Sequence, residues 1–126
     1  MTRENLVQKV SQRKQDINIT LDNISKLSGL GNRTVNRFFA GEDVKISTVE
    51  KITNLLGLDF AGSEVVTVDK LKDNRANQNA LYIVGLVQDT SALEMQGLEN
   101  KELNILIAET KEQFLSGDYK KNLWAS

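Results

Sequence analysis

A twenty-residue stretch, Leu21 to Ala40 (LDNISKLSGLGNRTVNRFFA), constrains this chain more than any other. A small residue, Ser25, stands at its fifth position and a glycine, Gly29, at its ninth; Val35 and Phe38 occupy the fifteenth and eighteenth. A small side chain lets two helices cross closely. A glycine accepts the left-handed conformation that ends a helix. Apolar residues three apart give the second helix a face to bury. The pattern predicts two short helices joined by a tight turn.

The flanking residues extend this reading. A first helix is expected from Arg3 to about Gln15, with Leu6, Val10 and, beyond its end, Ile17 as a thin apolar stripe. Thr20 can cap the second helix, with Ile19 and Ile24 at the two staple positions. Leu30 and Val35 repeat that spacing across Gly31, the expected cap of a third helix running from Asn32 to Ala40 and stopping at Gly41. Ser47 and Glu50 form an S-x-x-E capping box for a fourth helix, whose core face is Val49, Ile52, Leu55 and Leu56 and whose end is Gly57. With Leu58 and Phe60 closing the unit, residues 1–60 read as a compact domain of four to five helices.

Residues 61–126 read as a helical extension, so the fold class is all-α. Residues 61–66 (AGSEVV) form a connection, and the β-branched cluster at 64–68 leaves a short strand open. A long helix is expected from about Val68 to Asp89. Ser91 and Glu94 make another capping box, Gly97 interrupts, and a last helix begins after Asn100 and ends near Gly117. Leu103, Leu106, Ile107, Thr110 and Phe114 give that helix one apolar face. Proline, the strongest helix breaker, is absent from the chain.

Absences also restrict the chemistry. With no cysteine and no histidine there is no disulfide, no thiolate or imidazole metal site and no imidazole acid–base catalysis. Asp69 and Asp73, four apart, read as solvated surface rather than a catalytic pair. No phosphate-cradling glycine loop is present, so no catalytic residue, metal or cofactor is expected, and the chain reads as a binding protein rather than an enzyme. The apolar run from Ala80 to Val87 is too short to span a bilayer, and no leader sequence is recognisable, so a cytoplasmic protein with no membrane partner is expected.

Charge is uneven although the net is −1. Residues 1–41 hold seven Lys/Arg against three Asp/Glu, whereas residues 61–126 hold seven against ten. The basic end suits a polyanion, and the acidic end suits a protein partner or solvent. Burying Ile24, Leu30, Val35 and Phe38 leaves Asn32, Arg33, Thr34, Asn36 and Arg37 on the outer face of the third helix, which carries no acidic residue. Asn and Arg can make paired hydrogen bonds to adenine and guanine edges in double-stranded DNA.

The motifs ITLDNIS, SGLGNRTVNR and STVEKITNLLGL, within residues 3–60, resemble the Xre-type, phage-repressor-like helix-turn-helix family. The resemblance implies base contacts from Asn32, Arg33, Thr34 and Arg37, to which the outer-face reading adds Asn36. It implies phosphate contacts near Thr20 and Lys45, and Lys26 on the second helix is a further phosphate candidate. The sequence departs from the family at three places. Leu21 stands where a polar residue is common. Phe39 stands where Glu often pairs with a basic residue near Lys14. Gly31 stands where Ser or Thr usually caps.

In the carboxyl-terminal half, Ala76, Ala80, Ile83, Val84 and Val87 share one helical stripe while Tyr82 and Leu86 lie outside it. Burial against the chain itself and burial against a second chain both account for this, and the small size of the extension favours a second chain. Tyr82, Leu86, Phe114, Tyr119, Leu123 and Trp124 are the interface candidates, with a fold-back of the terminal Trp as the alternative. Two functions follow as expectations. One is a homodimeric transcriptional regulator, by family habit a repressor. The other is an antitoxin that regulates itself through residues 1–60 and holds a toxin through residues 61–126.

Overall fold

The structure, a computed structural model, describes residues 3–92 and 100–125, without the side chains of residues 3, 86–92 and 100. It is all-α. The described helices are α1 (Arg3–Ile17), α2 (Leu21–Ser28), α3 (Asn32–Phe39), α4 (Ile46–Leu55), α5 (Val68–Ala92) and α6 (Asn100–Leu115), followed by a 3₁₀ turn at Lys120–Asn122. Leu58 and Glu64 pair in an isolated antiparallel bridge, so the β-branched stretch gives no strand among the described residues. Glu94 and Gly97 lie outside the described residues, as does the Ser91 side chain. The chain forms two compact units, Met1–Leu71 with Trp124–Ser126, and Lys72–Leu123. The first unit thus runs past residue 60 and takes back the terminal tryptophan.

Helix ends in the first unit follow from local chemistry. Asn18 adopts φ 57°. Its N–H donates to the Gln15 carbonyl at 3.1 Å, and the Ile19 N–H donates to the Lys14 carbonyl at 3.2 Å. This two-bond closure is the Schellman arrangement, and asparagine is the residue after glycine that best tolerates it. Thr20 caps α2, its hydroxyl accepting the Asn23 N–H at 3.1 Å. Gly29 at φ 76° closes α2 through its N–H to the Ser25 carbonyl at 3.0 Å. The staple residues Ile19 and Ile24 are both buried.

Two expectations are corrected. The S-x-x-E box does not cap α4. That helix starts at Ile46 with Lys45 at its N-cap, where the Lys45 carbonyl accepts the Thr48 and Val49 N–H groups. Starting there brings Thr48, Ile52, Thr53 and Leu56 into the core and leaves Val49 and Leu55 half-buried. Core packing overrides the local capping signal. Second, the basic count of residues 1–41 overstates the charge offered to a polyanion, since Arg13, one of the seven, is only 4% exposed. Its Nε donates to the Leu56 carbonyl at 2.9 Å and its Nη2 to the Gly57 carbonyl at 3.3 Å and the Val66 carbonyl. Its Nη1 pairs with Glu64 at 3.0 Å. The guanidinium thus satisfies the Leu56 carbonyl at the C-cap of α4 and joins the Val65 and Val66 N–H groups on that of Gly57, where a positive charge also complements the helix dipole.

Trp124 folds back onto the first unit. Its Nε1–H donates to the Ile17 carbonyl at 2.8 Å, satisfying a terminal acceptor of α1. Trp124→Phe keeps the apolar ring but strands that buried carbonyl. The expected result is a loss of about 1–3 kcal/mol in unfolding free energy, read by denaturant titration.

In the second unit, Ala76, Ala80 and Val84 are buried on α5 and Phe114 on α6. The Leu123 carbonyl accepts from Arg75 Nε at 2.9 Å and Asn79 Nδ2 at 3.0 Å. Partial burial lowers the Arg75 guanidinium pKa from its ordinary value. Asp73, of the acidic pair, bonds Lys111 at 2.8 Å.

Candidate nucleic-acid interface

The second helix of the turn is built to hold one face and show the other. Val35 and Phe38 are buried beneath α3, and Phe39 packs edge-on against Phe38 with ring centroids 5.1 Å apart. Ser25 does more than stay small, because its hydroxyl donates to the Leu30 carbonyl across the turn. Ser28 Oγ accepts the Leu30 N–H at 3.2 Å. These bonds fix the approach to Gly31, which caps α3 in extended backbone without a side-chain bond. Aligned this way, Asn32, Arg33, Asn36 and Arg37 are exposed and Thr34 is half-buried.

An open cleft of about 590 Å³ runs beside this face between α3 and the start of α4. Thr34, Arg37, Lys45 and Lys51 line it, so the structure brings one phosphate candidate together with two base-contact candidates. Lys51 was missed by the sequence reading. It lies four residues after Ser47 and three after Thr48, and that helical spacing was the available signal once α4 begins at Ile46. Thr20, the N-cap of α2, and Lys26, on α2, have local partners. Thr20 Oγ1 also donates to Asn23 Oδ1 at 2.8 Å, and Lys26 pairs with Asp22 at 3.1 Å. Neither lines the cleft.

Acidic chemistry does reach the face. Arg37 Nε lies 3.9 Å from Glu42 Oε2, and its Nη2 donates to the Asp43 carbonyl at 3.5 Å. No acid stands on α3 itself, but the segment that follows supplies two, Glu42 and Asp43, the second of which lines the cleft.

The candidate interface residues divide differently from expectation. Phe114, Leu123 and Trp124 are each 6% exposed, covered by the chain's own residues, so they are corrected from exposed anchors to internal packing. The sulfur-free, prolinless tail folds inward because the indole finds the Ile17 carbonyl. Tyr119 is exposed on one side and tilts against Phe114 at 5.5 Å. Tyr82, 70% exposed, stands beside exposed Leu81 on α5. The Leu86 side chain lies outside the described residues. Among the described residues no group of three or more His, Cys, Asp or Glu side chains is placed to hold a metal ion, and no helix is long and apolar enough to cross a membrane. Comparison with protein-family models, with curated proteins and with solved structures finds no match to this chain.

Proposed function

We propose that this protein is a sequence-specific, double-stranded-DNA-binding transcriptional regulator of the Xre-type helix-turn-helix kind, reading the major groove with α3. The observation that carries this is the division of α3: Val35 and Phe38 are locked into the core while Asn32, Arg33, Asn36 and Arg37 face solvent. Groove reading needs a rigid helix with bidentate donors on one side, and phosphate-binding cations nearby. Lys45 and Lys51 supply the cations at the cleft. The protein acts in the cytoplasm as a homodimer, since a two-fold pair sets recognition helices about 34–36 Å apart on successive grooves. Repression is the sign of regulation the resemblance carries. The role is binding, without a catalytic step or cofactor.

Selection from random duplexes with the full chain tests this. A defined motif is expected, with affinity falling steeply as salt rises, by about 0.9 log units per log unit of salt for each phosphate contacted. No binding at low salt sinks the reading.

An antitoxin is the second reading, favoured by exposed Leu81, Tyr82 and Ile105 in the acidic half. Light scattering separates the two. A homodimer has twice the 14.1 kDa chain mass. A monomer that pairs only with the product of a neighbouring gene is the antitoxin outcome.

A further inference from the structure

We propose that Glu42 is a positioning residue that orients Arg37 to read a guanine; the inference rests on α3 being the DNA-reading helix. The geometry starts at the end of α3. Gly41 takes φ 82°, and its N–H donates to the Phe38 carbonyl at 3.0 Å. The next N–H, that of Glu42, donates to the carbonyl of Arg37 itself at 3.0 Å. This closure needs a left-handed residue at position 41, which glycine supplies without strain. It ties the backbone of Glu42 to that of Arg37, so the two side chains start from a fixed separation rather than from a free loop.

The side chains then meet along one edge. The Glu42 carboxylate lies 3.9 Å from Arg37 Nε, and the Asp43 carbonyl accepts from Nη2 at 3.5 Å. A guanidinium is a planar fork of five N–H donors that cannot flex within its plane. A carboxylate charge beside Nε and a carbonyl bonded to Nη2 therefore favour one plane for the whole group. The Nη1–Nη2 edge remains for a second partner, and two parallel donors on one edge match N7 and O6 of guanine. Arg33, four residues earlier on the same face, has no ion-pair partner among the described residues and lacks this restraint.

Two consequences of the carboxylate separate cleanly. Its charge repels phosphates, so neutralising it raises affinity for every duplex alike. The same charge, beside Nε, orients Arg37, so removing it weakens preference at one base pair. Glu42→Ala removes the charge together with the side chain, whereas Glu42→Gln removes the charge alone.

The test is selection from random duplexes using the full chain, with Arg37→Ala identifying the base pair that Arg37 reads. Wild-type protein is expected to prefer guanine there. Glu42→Ala is expected to cut that preference by about 2–5-fold, the range of an exposed ion pair, while other positions hold. Glu42→Gln, which removes the charge alone, is expected to show the same local loss with the same general rise in affinity. A Glu42→Ala motif as sharp as wild type at that base pair overturns the inference. So does a base other than guanine at the position Arg37→Ala relaxes. A wild-type protein that selects no motif at all instead removes the DNA-reading function beneath it.

Discussion

Arg13→Met is expected to lower the unfolding free energy by about 3 kcal/mol, the largest single-residue stability effect anticipated outside the apolar core. Methionine approximates the length and apolar bulk of the arginine stem, so little packing volume is lost. What disappears is the donor set. The Leu56 and Val66 carbonyls lose their guanidinium partner, whereas that of Gly57 keeps the Val65 and Val66 N–H groups. An orphaned buried acceptor costs about 1–3 kcal/mol, and the sum is offset because a charged group no longer has to be desolvated. Glu64 contributes less, since its side chain is 52% exposed. Glu64→Gln is accordingly the control, with an effect below about 1 kcal/mol. Urea titration followed by far-ultraviolet circular dichroism reads both variants. An Arg13→Met midpoint equal to wild type means the carbonyls find water, and the proposed clamp at the end of α4 is then wrong.

Arg33→Ala and Arg37→Ala are each expected to weaken binding to the selected duplex by about tenfold or more, with the unfolding midpoint unchanged. A bidentate contact to a base contributes about 1–3 kcal/mol of discrimination. Both residues are exposed, so their removal leaves no buried group stranded. The double variant is expected to bind the selected duplex and a random one alike. Lys51→Ala behaves differently if it contacts phosphate: affinity falls for all sequences and the salt slope shrinks by about one. Gel-shift titrations at two salt concentrations distinguish these patterns. Unchanged affinity in both arginine variants takes α3 out of the interface.

The local features of the first unit were legible in the sequence because their partners are close along the chain. Thr20 bonds Asn23, Gly29 closes on Ser25, and the Ile19–Ile24 staple spans one turn and a half. Side-chain chemistry alone selects these conformations. The misses share the opposite property. Arg13 reads as one more surface cation until carbonyls 43 residues away enclose it. The Trp124 partner lies 107 residues earlier. At Ser47 the capping box was present in the letters, but burying Thr48 and Ile52 moved the helix start to Ile46. Glu42 was passed over because its relevance arises from the left-handed Gly41, which sets it beside Arg37 only once the turn is closed. Lys51 came into view when the true start of α4 placed it on the cleft wall.

The return of Trp124 to the end of α1 has a practical corollary. The chain holds one tryptophan, so its emission has a single source, an indole seated against the Ile17 carbonyl three residues before Thr20. Intrinsic fluorescence therefore reports on the joint between α1 and α2 without any added dye, and a titration with duplex can follow that joint in unlabelled protein.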